Sequence, residues 1–279
     1  GEGKAPNPSI DGYSKFMDFV ANFVRNDKAK ELAADHARFM VSRTNRYTGK
    51  PYIESPAIMS WQIGNEPRAF ASDDVQKGLF AQWLASQARL IKSIDPNHLV
   101  SVGSEGKHGC EGDIALWASI HANPDIDYAT MHLWPYNWQW IENGDVPGSV
   151  GNALANAVDY ITPHSQISKA LGKPLVVEEF GYPRDSMATA PGSPVSGRDA
   201  FYKGVFDLIA ANGMIAGCNF WAWGGYAQPP HETWQPWDPY TGDPAQEAQG
   251  LNSVFSADKS TLEIIKKSID GLKSHSAVR

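Results

Sequence analysis

Two glutamates stand where strand-like runs break off. In "IMSWQIGNEPR" (58–68) the apolar Ile58, Met59, Trp61 and Ile63 give way abruptly to Gly64, Asn65, Glu66 and Pro67. In "PLVVEEF" (174–180) a second apolar run ends in Glu178 and Glu179. A carboxylate at the end of a buried strand is held for work as acid, base or nucleophile. Two of them in one cleft are the minimum for cleaving a glycosidic bond: one serves as acid and base, the other as nucleophile, about 5–5.5 Å away when configuration is retained. Taken singly, each motif reads more readily as a strand-to-loop turn with a solvated Glu. Together, with aromatic clusters between and after them, they point to catalysis.

The elements that must position these groups alternate. Residues 11–46 read as two one-sided helices, with Phe16, Phe19, Val20, Phe23 and Val24 at helical spacing. "AIMSWQIG" (57–64) is the first strand, and the helix of 72–94 opens at Ser72 with Asp73 and Asp74 in its first turn. Strands follow at "HLVSVGS" (98–104), "IDYATMH" (126–132), "PLVVEEF" and "IAGCNFWAW" (215–223). The intervening helices are "GDIALWASIHA", "NALANAVDYITPHSQISKAL" with a break or kink expected at Pro163, and "GRDAFYKGVFDLIAANG" stopped by Gly213. A last helix, "STLEIIKKSIDGL", has Ser260 and Glu263 in capping-box spacing. Short, continuously apolar strands are buried on both faces, which predicts a parallel sheet covered by helices. Strict alternation leaves a doubly wound sheet or a (β/α)8 barrel. No phosphate-binding glycine motif follows a strand, and every strand ends in polar or aromatic residues (Asn65-Glu66, Ser104-Glu105, His132 to Trp134, Glu178-Glu179, Trp221 to Trp223). That favours the barrel.

Composition sets limits. The 279 residues carry a net charge of −7, which argues against nucleic acid as a partner. No run of about eighteen apolar residues predicts a membrane span. Cys110 and Cys218 lack metal-ligand spacing and read as two buried thiols, with a disulfide as the alternative. Seven of the ten tryptophans fall in two windows, at 134, 138, 140 and at 221, 223, 234, 237, a clustering that core packing alone does not require. No cofactor or metal is implied, and the carboxylates of "DPYTGDPAQE" read as a solvated loop rather than a calcium site.

"IMSWQIGNEPR", "MHLWPYNW", "LVVEEFG" and "GCNFWAWGG" resemble strands four, six, seven and eight of glycoside hydrolase family 5, and "RYTGKPYIESPAIMSWQIGNEPR" and "GDPAQEAQGLNSVF" resemble its endo-β-1,4-mannanase branch. The resemblance implies an α/β (β/α)8 TIM barrel and a retaining hydrolase of β-1,4-mannosidic bonds in mannan or glucomannan, secreted or at the cell surface. It makes Glu66 the acid/base and Glu179 the nucleophile, with the Glu66 pKa above that of Glu179. Asn65 would bind the sugar 2-hydroxyl, His132 would lie near the cleaved bond, and Trp221 would floor that site. Arg68 would reach the leaving-group side, a surface ion pair being the alternative. Trp134, Trp138, Trp223, Trp234 and Trp237 are candidates for the cleft lining.

The chain departs from the family pattern twice. The family places a tyrosine two positions after the strand-six histidine. Here Trp134 stands there, able to donate but not to accept, and Tyr136 is a candidate substitute. The expected chain order also begins at strand four, so residues 1–279 read as one catalytic domain supplying strands four to eight. A further N-terminal fragment is expected to complete the barrel, since five strands alone would leave open edges. Two rival readings stand beside the mannanase: an endo-β-1,4-glucanase, and a non-catalytic carbohydrate-binding remnant.

Overall fold

A computed structural model describes residues 5, 6, 11–71, 73–142 and 144–276 of the chain. The chain divides into two compact units, Gly1–Met131 with Ile167–Leu175, and His132–Gln166 with Val176–Arg279.

In the first unit, α1 (Tyr13–Ala21) runs through a 3-10 turn into α2 (Asp27–Val41), which is capped by Asn26 accepting from Ala29 N. The strand β1 (Ser60–Gln62) pairs in parallel with β2 (Leu99–Ser101), Trp61 opposite Val100. Between them α3 (Asp74–Ile94) buries Phe80, Leu84, Ala88 and Ile91 along one stripe. Its cap is Asp73, whose carboxylate accepts from Gln76 N, and the expected opening at Ser72 lies outside the described residues. At its far end Asp95 binds the Trp61 indole (2.7 Å), which ties β1 to the α3–β2 turn. After β2 comes α4 (Ile114–His121), capped by Asp113.

The strand β3 (Ala129–Leu133) is buried throughout and forms a three-stranded sheet with β4 (Leu175–Phe180) and β5 (Ile215–Cys218), in the order β3-β4-β5. The long α5 (Val150–Leu171) lies between β3 and β4 in the chain, and α6 (Ser196–Ala211) packs Phe201, Tyr202, Val205, Phe206 and Ile209 inward. In the second unit β6 (Trp223–Gly225) pairs in parallel with β7 (Val254–Phe255), and α7 (Lys259–Ser276) follows.

Several expectations are corrected. Seven short strands, among the described residues, take the place of the five longer ones expected, and they fall into three sheets. The expected last strand is divided because the chain leaves β5 after Cys218 and re-pairs with β7 only at Trp223. The first strand is not buried on both faces: Ser60 and Trp61 are half-buried, Gln62 is exposed, and its sheet contains β2 alone beside it.

Pro163 does not break α5. The carbonyl it deprives of a donor belongs to Asp159, which is exposed to water, while buried Ala157, Tyr160, Ile161 and His164 hold the helix on either side. Gly213 does not stop α6; Asn212 does, in an extended conformation, with its side chain bonded to Ser165 Oγ and Met214 N. The Ser260–Glu263 capping box does not form, because the helix already begins at Lys259 and Glu263 pairs one turn on with Lys267. Both cysteines are free thiols, pushed up by burial to about 12 for Cys110 and about 11 for Cys218.

Candidate active site

In the first unit Glu66 follows β1, and its amide donates to Gly103 O at 2.9 Å beyond the end of β2. That closure needs Gly103: a Cβ there would lie 2.0 Å from Gly64 O, and its φ is +76°. Glu66 itself has φ +48°, a conformation that side chains adopt at a cost and that clusters at functional positions. Asn65 beside it is exposed.

Arg68 is not a surface ion pair. Its Nε and Nη2 bind Glu105 Oε2 and Oε1 at 2.5 and 2.6 Å, and Glu105, just past β2, is 1% exposed. Burial works against the Arg68 charge, but the Glu105 hydrogen bonds and charge, with Glu66 adding to them, raise its pKa above the usual value. The guanidinium also lies over the Phe70 ring at 5.8 Å. Nearby His108 is held neutral, lowered to about 4 by burial first and then by the positive Arg68 and Lys107. In the sequence Glu105 stands at a strand end with no sign of its partner.

In the second unit three predicted residues converge. Glu179 on β4 is buried, its Oε2 accepts from Trp134 Nε1 at 3.3 Å, and His132 Nδ1 lies 3.3 Å from the same oxygen. Trp134 therefore donates to the carboxylate from the position where the family places its tyrosine. The residue that makes room is Gly181, since a Cβ there would meet the Trp134 ring at 2.5 Å and Trp221 O at 3.1 Å. In the sequence the available signal was a glycine two positions after the strand-end carboxylate, Glu179-Phe180-Gly181.

Trp221 is half-buried and anchored by its amide to Phe180 O (2.8 Å), and Trp223 on β6 is 51% exposed. Tyr136 is 44% exposed in the turn after β3. Trp138 packs against Trp140 and Tyr160, ring centroids 5.2 and 4.9 Å away. In "DPYTGDPAQE", Asp243 is buried, and its carboxylate is engaged by the amides of Gly250, Asn252 and Ser253 and by the Ser253 hydroxyl. It staples a loop and is not solvated as expected.

Parallel strands alternating with helices, and polar side chains gathered just past the strand ends, belong to the (β/α)8-barrel class. The chain itself belongs to glycoside hydrolase family 5: the family model described as GH family 5 beta-mannosidase-like matches residues 4–276. It is 33% identical to the Glycoside Hydrolase Family 5 Mannosidase from Rhizomucor miehei, with a TM-score of 0.85 over 98% of this chain and 66% of that one. The endo-beta-1,4-mannanase from Thermotoga petrophila is 25% identical, with a TM-score of 0.67 over 93% of this chain and 53% of that one. Mannan endo-1,4-beta-mannosidase 3 of Arabidopsis thaliana is 31% identical over 241 residues, 75% of this chain and 55% of the relative. The chain spans about half the length of the curated relatives it matches.

Proposed function

We propose that this chain carries the catalytic carboxylates of a retaining glycoside hydrolase that cleaves internal β-1,4-mannosidic bonds in mannan or glucomannan. The observation that carries the proposal is the convergence of Trp134 Nε1 and His132 Nδ1 on one oxygen of buried Glu179, in a family whose curated members are named as mannan endo-1,4-beta-mannosidases.

In this reading Glu179 attacks the anomeric carbon and the glycosidic C–O bond breaks. Glu66 gives its proton to the leaving oxygen, then takes one from the water that hydrolyses the glycosyl ester. The Trp134 indole, donating to one oxygen of Glu179, fixes the carboxylate's orientation for attack, while its second oxygen forms the bond. Asn65 serves the 2-hydroxyl and Trp221 the apolar face of the sugar. Arg68, held rigid by Glu105, serves the leaving-group side, and Trp223 and Tyr136 line the approach.

The strands β1 to β5 are assigned to strands four to eight of the family barrel, with residues 1–279 as part of one catalytic domain. The partial coverage of the relatives supports this, as does β1, beside which Met59 is left 68% exposed. A further polypeptide segment pairing along β1 would cover it. A polysaccharide substrate places the working enzyme outside the cell or on its surface; no helix among the described residues is long and apolar enough to cross a membrane.

Reducing-end release from mannan, glucomannan and carboxymethyl cellulose tests the reading, with Glu66→Gln and Glu179→Gln beside the parent. Release from mannan that both substitutions abolish is the expected result. Turnover confined to carboxymethyl cellulose would make it a glucanase, and mannan binding without turnover would make it a binding remnant. A second reading, release of single mannose units from chain ends, is favoured by the likeness to the Rhizomucor miehei mannosidase. The size of the first products separates the two.

A further inference from the structure

The segment after β6, "YAQPPHETWQPWDPY" (226–240), holds four prolines and four aromatic residues. It is pinned at its base. Ala227 N bonds Gly224 O, Thr233 bridges Ala248, and Gln249 N donates to Glu232 O. Within it, Asp238 N donates to Gln235 O at 3.0 Å, closing a turn over Gln235-Pro236-Trp237-Asp238. Trp237, the third residue of that turn, has φ +82°. Proline second and positive φ third is the type II arrangement, whose third place belongs to glycine or asparagine on steric grounds. Here a tryptophan occupies it and is 98% exposed.

Neither folding nor packing accounts for that residue. The backbone would be easier with glycine, and the indole buries almost nothing. The turn is nevertheless stiffly held: the Asp238 carboxylate accepts from Gln235 N at 2.9 Å and lies 3.1 Å from His231 Nδ1. Tyr226 (89% exposed) and Tyr240 (71%) are presented from the same segment. Glu232 is the one further charged side chain in it, so the segment offers aromatic surface with little charge. A proline-stiffened aromatic surface of this kind suits a neutral ligand with alternating apolar and hydroxyl faces, and rigid aromatics bind at low entropic cost.

We propose that the 226–240 segment, with Trp237 exposed in its turn and Tyr226 and Tyr240 exposed at its two ends, is a binding platform for a neutral polysaccharide chain, separate in role from the catalytic carboxylates. It rests on the reading of mannan as substrate. The platform would retain the enzyme on an insoluble polymer between cleavage events.

Adsorption to insoluble mannan tests it, measured in the Glu66→Gln background so that the polymer is not consumed. Trp237→Gly places the residue the turn prefers at φ +82°, so the melting temperature should hold or rise while the adsorption constant falls about three- to tenfold. Tyr226→Ala should give a smaller loss in the same direction. Unchanged adsorption by Trp237→Gly overturns the platform, as does a loss that merely tracks a lower melting temperature. A parent that hydrolyses mannan but does not adsorb overturns the platform alone. One that adsorbs through Trp237 but never hydrolyses leaves the platform standing and overturns the enzyme reading.

Discussion

The Trp134 indole Nε1 donates to Glu179 Oε2 at 3.3 Å, and the buried His132 meets the same oxygen at the same distance. A donor aimed at a carboxylate from a fixed ring restrains that carboxylate in rotation as well as in charge. Hydrogen bonds to charged groups contribute about 1.5–3 kcal/mol, and one at 3.3 Å belongs at the weak end. Trp134→Phe should therefore lower kcat on mannan about tenfold with little change in KM. Trp134→Tyr, which brings back an O–H donor, should recover part of it. Steady-state kinetics on the three proteins decide this, and equal kcat for parent and Trp134→Phe would remove Trp134 from the mechanism.

Gly181→Ala should reproduce much of that defect without touching a polar group. The added methyl would sit 2.5 Å from the Trp134 ring, with Trp221 O closing the other side at 3.1 Å. The indole must move, and overpacking of this kind costs about 1–3 kcal/mol of stability. Because the activity loss acts through Trp134, it should be smaller in the Trp134→Phe background than in the parent. Additive losses in the double variant would show that Gly181 acts by another route.

The sequence showed the alternation of helices and strands, and strand-end Glu66 and Glu179, because both follow from local patterns: apolar period and its abrupt end. What it hid depends on partners distant in the chain. Burial of β1 failed as an expectation because an apolar run reports what a strand can bury, while its actual cover depends on which strands pair beside it. The continuity of α5 through Pro163 was hidden because the helix rule is local and the packing around the proline is not. Glu105 and Gly181 stood in plain view, yet their roles exist only through Arg68 and Trp134, 37 and 47 residues away in the chain.

His98 makes unit stability depend on pH with a predictable sign. Its Nδ1 faces the Asp95 carboxylate at 2.6 Å and its Nε2 faces Ser55 O at 3.0 Å. Both partners accept, so both nitrogens must donate and the ring is favoured as imidazolium. The Asp95 hydrogen bond raises the His98 pKa against a smaller opposing effect of burial. A folded pKa above the unfolded value of about 6.5 gives stability that is fully present below pH 6.5 and is lost as pH rises through the folded pKa. For Asp95, burial pushes upward most strongly, yet the bonds from Trp61, His98 and the backbone together lower it. Its contribution is present above pH 4 or so and is lost in acid. Melting temperature should therefore decline from about pH 6 toward pH 9, and His98→Gln should flatten that decline. A parent curve that is level over this range would contradict the assignment.

Asp258 should be the most costly single side chain of the second unit. It is buried, accepts from both terminal nitrogens of Arg184 (2.9 and 2.5 Å) and from Phe255 N (2.8 Å), and lies 3.6 Å from Arg198 Nη1. Both guanidiniums are also fully buried, and their remaining N–H groups hold the carbonyls of Gly250, Leu251 and Ser253. Burial already lowers the Arg198 pKa below its ordinary value, and the Asp258 charge offsets part of that cost. Asp258→Asn keeps the shape but removes the carboxylate charge paired with two buried guanidiniums, a loss of about 3–5 kcal/mol. That corresponds to a melting temperature lower by about 6–20 °C for a domain of this size. The segment these bonds fix includes β7, the partner of β6, so Trp223 should loosen as well. Proteolysis of Asp258→Asn should accordingly begin in the 241–258 segment, before cleavage in β3 or β4. Simultaneous loss of all strands would mean that the segment unfolds only with the whole unit.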